Sequence, residues 1–129
     1  MKYIALTGIL NSVISDLNDR RIKTIEIRSA HNLFCVLDMS VGNKIFLTDE
    51  SSQDVAPGTI GLIVKVCELG TTMHRIYQGN DQFYEERESL VSRIQLQVCG
   101  SGRVRKVEKV GLGISMVVEA DEILRYDAR

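Results

Sequence analysis

The chain has 129 residues, of which 44% are hydrophobic and 26% are charged, and its formal net charge is −1. This size and composition are those of one globular domain spanning residues 1–129. The balanced charge excludes a protein held to nucleic acid or to a membrane surface by overall charge alone. The N-terminus lacks a signal-peptide pattern, and no stretch approaches the roughly 20 apolar residues of a membrane helix. We therefore expect a cytoplasmic protein with no membrane partner.

In chain order, the first predicted elements are a strand, a helix and a second strand. Residues 2–7 form a short apolar run that suits a strand. Apolar residues then recur every three to four positions, which predicts an amphipathic helix over residues 9–19. Residues 22–29 alternate with a period of two. This spacing predicts a strand that directs Ile25 and Ile27 into the core.

The middle of the chain combines strands with one polar loop. Residues 29–39 fit either a short helix or an irregular apolar crossing. Residues 41–49 predict a strand that is entered through a Gly-Asn turn, and residues 51–58, with the only proline, predict a loop. The β-branched run at 59–69 predicts a central strand, and residues 71–78 predict a further strand.

The last third is also rich in strand patterns. Residues 79–90 predict a turn followed by a short acidic helix or loop, and residues 92–100 alternate as a strand. A Gly-Ser-Gly turn at 100–102 is expected to lead into a basic strand over residues 103–110. Residues 114–129 supply one or two more strands. The fold class is therefore α+β: a small, mixed, partly closed β-barrel, with the N-terminal helix packed at one end, because closure removes exposed strand edges.

The predicted strand at 22–29 also carries the strongest cluster of candidate ligand-binding residues. Lys23 lies at its start, where a long side chain can lift its ammonium group to the rim, and Glu26 and Arg28 lie on the face opposite the core. The planar donors of arginine suit a phosphate or carboxylate, and Glu26 could accept from a base amino group. His31 and Asn32 follow directly. The alternative interpretation is a surface ion-pair cluster with no ligand.

The segment RIKTIEIR, residues 21–28, resembles the G-x-K-x-x-E-x-R signature of ASCH domains, which belong to the PUA-like superfamily. Lys23, Glu26 and Arg28 occupy the matching positions after a predicted helix, and Arg21 stands where the family usually has glycine. VGNKIFL and GTIGLIVKV resemble the strands that follow, so the resemblance covers residues 9–67. It implies a PUA-like barrel with a groove between the first helix and the sheet, where related domains bind RNA or modified bases.

The resemblance also implies an alternative function, because some small ASCH proteins are amidohydrolases that act on acetylated cytidine. In those enzymes the matching lysine works with a threonine where this chain has Glu26. Lys23 and Glu26 are catalytic candidates only if the chain is such a hydrolase, with Glu26 as a general base if burial raises its pKa. The departure at Glu26 favours binding over hydrolysis.

The whole chain, moreover, resembles a small archaeal family of uncharacterised proteins. The resemblance is carried by RSAHN-like and MHRI-like segments and by a C-terminal segment that contains tyrosine. It implies no function.

Two further groups of residues are candidates for ligand contacts. His74 is a candidate for lining a pocket, and Tyr84, beside an acidic run, is a candidate for stacking on a base. The basic strand offers phosphate contacts, with RNA or a nucleotide as the partner, through Arg103, Arg105 and Lys106. Alternatively, the acidic residues at 119–122 pair with this basic strand across a hairpin.

The three cysteines predict neither a metal site nor a cofactor. Cys35, Cys67 and Cys99 lie in apolar segments and none forms a Cys-x-x-Cys pair, so we expect buried, reduced thiols. Three functions remain open from the sequence: an RNA-binding or nucleotide-binding module, a small amidohydrolase, and a structural or protein-interaction domain. Whether the chain is an enzyme, and its oligomeric state, are not fixed by these patterns.

Overall fold

The computed structural model describes residues 1–80, 83–109 and 115–123, without the side chains of residues 73–80, 83–89 and 109. Six strands and two helices make up the described chain. In order they are β1 (Lys2–Leu6), α1 (Asn11–Arg20), β2 (Ile22–Ile27), α2 (Ala30–Leu37), β3 (Lys44–Leu47), β4 (Ile60–Asn80), β5 (Phe83–Lys109) and β6 (Val117–Ile123). The chain is thus a mixed α+β protein dominated by strands.

The six strands form one sheet in the order β2-β5-β4-β3-β1-β6. β1 and β3 are parallel, and the other neighbours are antiparallel. β6 also pairs with β5, so β5, β4, β3, β1 and β6 form a closed cycle of pairings. β2 lies outside this cycle and pairs with β5 on one side only. In the described part of the chain, no strand pairs with its other edge.

Alternation along the strands divides the core into two hydrophobic clusters. In the first cluster, Leu6 of β1 and Ile25 of β2 pack with residues from both helices, including Leu17. The second cluster takes residues from all five strands of the cycle, among them Ala5 and Phe46. The first cluster fixes the helices and β2 against the sheet, and so positions everything that borders the open edge.

Residues close in sequence explain where both helices form. The predicted first helix is confirmed as Asn11–Arg20, with Ile14 and Leu17 buried. Of the two alternatives for residues 29–39, the helix is the one formed: Ser29 caps it by accepting a hydrogen bond from the backbone N–H of Asn32. α1 ends at Arg21, whose φ of 69° lies in the left-handed region. A left-handed helix end of the kind that glycine usually forms is thus made here by an arginine.

Residues 59–69 and 71–78 form strand structure as predicted, but they are parts of one strand, β4, and not two separate strands. Two other predictions for the sheet are wrong. The acidic segment predicted as a helix or loop belongs to β5 from Phe83 onward. Residues 100–102 form no turn, because they pair with residues 61–63 of β4 inside the sheet. Continuous antiparallel pairing between two long strands overrides the local turn and helix signals, which carry less free energy than a full ladder.

The cysteines differ in burial, which corrects the expectation of three buried thiols. Cys35 is buried, Cys67 is half-buried and Cys99 is exposed, and all three are free. The register shifts beside Cys99, where Val64 pairs with Val98 and Ile63 with Gly100. This bulge interrupts the alternation of the strand, so an apolar sequence context does not place the Cys99 thiol in the core. No helix in the described part of the chain is long and apolar enough to cross a membrane.

Candidate ligand-binding cleft

A cleft of about 570 Å³ lies along β2. Its walls are the segment Thr7–Leu10 that precedes α1, the residues of β2 from Lys23 onward, the start of α2, and the loop at Ser51–Ser52. Consecutive residues of β2 line it, from both faces of the strand. Since alternate residues point to opposite faces, a cleft bordered by every residue in turn must follow the edge of the strand. The open edge of the sheet is therefore one wall of the cleft.

Lys23 lines the cleft at the start of β2 and is bound to helix α1. Its ammonium donates a hydrogen bond to the carboxylate of Asp16, and the side chains of Lys23 and Asp16 are 29% and 34% exposed. Arg20 also donates to Asp16, at 2.9 Å. The hydrogen bond from Lys23 is the largest cause that lowers the pKa of Asp16 below its ordinary value. Lys23, which was expected at the rim, is therefore paired with the carboxylate of Asp16.

The pH dependence of this pair can be tested by replacing the lysine. Because the pKa of Asp16 is lowered, the stability that the pair contributes is present above the ordinary carboxyl pKa and is lost as pH falls through the lowered value. We expect Lys23→Met to raise the midpoint of the Asp16 carboxyl titration, measured by NMR of the side-chain carbon. Lys44→Met, at an exposed position on β3, should leave it unchanged. If Lys23→Met leaves the titration midpoint of Asp16 unchanged, Lys23 is not the cause of the lowered pKa of Asp16.

Glu26 and Arg28 form the polar rim at the far end of β2. Arg28 Nη2 lies 3.0 Å from Glu26 Oε2, and Arg93 of β5 reaches Glu26 Oε1 at 3.2 Å. Arg93 stands directly opposite Glu26 in the β2–β5 register. The side chain of Arg28 is 65% exposed, so its remaining donors are accessible from the cleft. The net result is one carboxylate between two guanidinium groups, which leaves the rim positive.

The environment of Glu26 disfavours proton abstraction. The hydrogen bond and charge of Arg28, followed by the charge of Arg93, lower the pKa of Glu26 below its ordinary value. The sequence-based role of Glu26 as a general base depends on burial raising that pKa, whereas its side chain is 41% exposed. The condition for that role is not met.

His31 contributes an unsatisfied nitrogen beside the cleft. It lines the cleft from the first turn of α2, and its Nε2 atom is buried without a hydrogen-bond partner among the described residues. A buried polar atom without a partner is unfavourable, and because this atom has almost no exposed surface, a ligand could bond to it only after the His31 side chain moves. His31 is therefore the sequence-predicted residue with the clearest unused hydrogen-bonding capacity.

Asn32, in contrast, is engaged in holding the cleft together. Its side chain is 5% exposed; its Oδ1 accepts from the backbone N–H of Thr7 at 3.1 Å, and its Nδ2 donates to the carbonyl of Thr7 at 2.8 Å. This pair of hydrogen bonds joins the end of β1 to α2. The structure therefore gives Asn32 a structural role at the cleft wall, whereas a contact from its side chain to a ligand remains a prediction.

Two helices begin at the cleft wall. Leu10, at the N-terminal boundary of α1, provides no side-chain cap, and the first turn of α1 contains no acidic residue. The N-terminal end of α2 also borders the cleft, through its N-cap residue Ser29 and through His31 in its first turn. The N-terminal end of a helix carries a partial positive charge. Together with Arg28, these helix starts make the cleft favourable for an anionic group.

The other predicted ligand residues lie elsewhere or outside the described residues. His74 and Tyr84 belong to the long β4–β5 hairpin, opposite Ser89 and Gly79 respectively, and their side chains lie outside the described part of the structure. The tyrosine of the C-terminal segment also lies outside the described residues.

The basic strand has acidic partners, as one of the two sequence interpretations predicts. Arg105 binds the carboxylate of Glu119 and lies 3.8 Å from that of Asp121. Arg103 stands opposite Asp121, and Lys106 opposite Glu119, in the β5–β6 register. Pairing with the acidic strand is confirmed. Phosphate binding by these three basic residues remains a prediction without a contact that favours it.

Several residues at or beside the cleft are not predicted by the sequence. Asp16 and Arg93 lie beside the cleft, as partners of Lys23 and Glu26. Asp16 lies on the polar face of a helix, where nothing distinguishes it from its neighbours, and Arg93 becomes a partner of Glu26 only through the strand register. The segment Gly8–Leu10 and the loop at Ser51–Ser52 line the cleft itself. The only signal in the sequence was Gly8, which adopts a φ of 63° at the end of β1.

The fold and the cleft define the class: a mixed α+β domain whose six-stranded sheet has a cationic cleft at its open edge. The chain belongs to the family described as "Protein of unknown function (DUF473)", whose model matches residues 1–118. It is 30% identical over 115 residues to an uncharacterized protein of Methanocaldococcus jannaschii, covering 89% of this chain and 72% of that protein. No solved structure matches. The resemblance to a small archaeal family is confirmed, and that to ASCH domains remains a prediction.

Proposed function

We propose that this protein is a PUA-like module that binds RNA or a nucleotide in the cleft along β2. In this proposal, the closed cycle of β5, β4, β3, β1 and β6 is the PUA-like barrel, and β2 with the two helices forms the groove beside it. The observation that carries the proposal is the cleft itself, which combines the open strand edge with Arg28, His31 and two helix starts. An anionic ligand is favoured at such a place.

The dimensions and lining of the cleft suit a nucleotide. A volume of about 570 Å³ falls within the range of small-molecule sites. Ile9 and Val13, both half-buried, provide an apolar wall for the flat face of a base. Arg28 provides a guanidinium group whose fork matches a phosphate. A base and a phosphate thus each have a matching surface within one cleft.

The amidohydrolase alternative has less support. The ammonium group of Lys23 is bound to Asp16, and the pKa of Glu26 is lowered by Arg28 and Arg93. The lowered pKa makes Glu26 a weaker base, and the Lys23 ammonium is held by a carboxylate of the protein itself. We therefore propose binding without catalysis.

Replacing Arg28 tests this proposal. We expect wild-type protein to bind a short fluorescent single-stranded RNA, and Arg28→Ala to weaken binding about tenfold or more, because the variant cannot form a charge-assisted bond to phosphate. The dependence of log affinity on log salt should also become shallower, by about 0.7 if Arg28 neutralises one phosphate. Fluorescence anisotropy at several salt concentrations measures both quantities.

Lys44→Ala is the matched control, because Lys44 is exposed on β3 and lies outside the cleft. It removes one positive charge and should leave both the affinity and the salt dependence close to the wild-type values. Equal losses in the two variants would indicate nonspecific attraction. Binding that is insensitive to salt, or the absence of binding to any RNA or nucleotide, would overturn the proposal.

A further inference from the structure

We infer that the exposed backbone edge of β2, at Thr24 and Glu26, forms hydrogen bonds with the edge of a nucleobase, so that the cleft selects ligands that carry a base over ligands that carry only a sugar phosphate. This inference rests on the proposed function and identifies the part of the ligand that the cleft reads. It concerns main-chain groups, which the sequence signature does not reveal.

The register of β2 determines which backbone groups face the cleft. The backbone N–H of Val98 donates to the carbonyl of Arg21 at 2.8 Å, and the β2–β5 register places Ile22 opposite Gln97. Residue 21 is thus in a hydrogen-bonded position, and in antiparallel strands these positions alternate. The odd-numbered residues of β2 therefore bond to β5, whereas the N–H and C=O groups of Thr24 and Glu26 point away from it.

The outward groups are unused within the described chain. β2 pairs with β5 alone, and no other backbone hydrogen bond in the described ranges reaches Thr24 or Glu26. Both residues line the cleft. Two N–H donors and two C=O acceptors therefore alternate along one wall of a cleft that already contains cationic groups.

This alternation matches the chemistry of a nucleobase edge. Uracil, cytosine, guanine and adenine each present adjacent donors and acceptors in the plane of the ring, and a strand edge offers the complementary pattern in a plane. Arg28, Ser29 and His31 follow β2 directly and border the same cleft, so the phosphate on the ribose of a bound nucleotide has a positively charged neighbour in Arg28. A ligand with both parts satisfies more of the cleft than a sugar phosphate does.

A pair of substitutions at Thr24 separates the backbone from the side chain. Thr24→Pro deletes the outward N–H without removing a hydrogen bond to β5, and proline is tolerated on strand edges where its nitrogen faces outward. Thr24→Val keeps the N–H and deletes the hydroxyl group. We expect Thr24→Pro to weaken binding of nucleoside monophosphates about tenfold, and Thr24→Val to change it less than about twofold.

NMR of the ¹⁵N-labelled full chain gives a readout that does not depend on a proline variant that folds. Nucleoside monophosphates should shift the amide signals of Thr24 and Glu26, whereas ribose 5-phosphate should bind more weakly and leave those two signals in place. Nucleotide binding that leaves the Thr24 and Glu26 amides unshifted, or equal affinity for ribose 5-phosphate, would overturn this inference while the proposed function stands.

Two other outcomes are also decisive. If no nucleotide or RNA binds, the proposed function fails and this inference fails with it. If an extended peptide shifts the Thr24 and Glu26 amides and nucleotides do not, the edge of β2 is a site for strand addition by a protein partner, and the inference is overturned.

Discussion

Gly61→Ala is expected to destabilise the protein by about 3 kcal/mol, the upper part of the range for overpacked cores. Gly61 is buried in β4, and a Cβ atom at this position would clash with the carbonyl oxygen of Leu47 and would lie 2.7 Å from Cζ of Phe46. Backbone atoms of a neighbouring strand cannot move aside as a flexible side chain can. In thermal unfolding, we expect the melting temperature to fall by about 10 °C.

Gly70→Ala is the matched control, since Gly70 belongs to the same strand and a Cβ atom there would meet nothing within 4 Å. Its free energy of unfolding should stay within about 0.5 kcal/mol of the wild-type value. Equal melting temperatures for the two variants would show that Gly61 does not lie in a close contact between β3 and β4.

Asn32→Ala should have the second large effect, a loss of about 3 kcal/mol of stability together with weaker ligand binding. The substitution leaves the N–H and the C=O of Thr7 without partners, and Thr7 is only 5% exposed. Each buried backbone group without a partner costs about 1–3 kcal/mol. Because Thr7 and Asn32 both border the cleft, binding should fall even where the variant remains folded.

The control for this substitution is Asn43→Ala. Asn43 is exposed, and its side chain accepts one hydrogen bond from the backbone N–H of Ser40 at 2.8 Å. We expect a loss below about 1 kcal/mol and unchanged binding. Urea denaturation followed by circular dichroism measures the stability of both variants. An Asn32→Ala protein as stable as Asn43→Ala would contradict the role assigned to the Asn32 side chain.

The sequence was informative where a pattern depends on neighbours along the chain. The spacing of Ile14 and Leu17 predicts α1, and the alternation of Ile25 and Ile27 predicts β2 with both isoleucines in the core. The same alternation places Glu26 and Arg28 on the exposed face, where they form an ion pair. Those features require only the period of a helix or a strand.

Features that depend on pairing between distant segments could not be predicted. The glycines at 100 and 102 suggest a turn, but they lie inside β5 because β4 pairs with them and Gly61 stands opposite Gly102. Arg93 becomes a neighbour of Glu26 only through the β2–β5 register. The role of Asn32 depends on Thr7, 25 residues earlier. No local pattern contains the partner in any of these cases.

The cleft follows the same rule. Its charged residues are close together in sequence, from Lys23 to His31, so a single local pattern predicts them. No local pattern predicts the segment before α1 or the loop at 51–52, because tertiary packing alone brings them to β2. The open backbone edge of β2 depends on sheet order, which a single sequence does not specify.

Photochemical cross-linking to a short RNA that carries 4-thiouridine, followed by mass spectrometry of the cross-linked peptides, locates bound RNA on the wild-type protein. We expect cross-links in the segments that border the cleft, residues 7–13, 23–32 and 51–52, and far fewer of them in Arg28→Ala as a control. Cross-links concentrated in residues 103–109 would instead place RNA on the basic strand beside β6, and would contradict binding in the cleft.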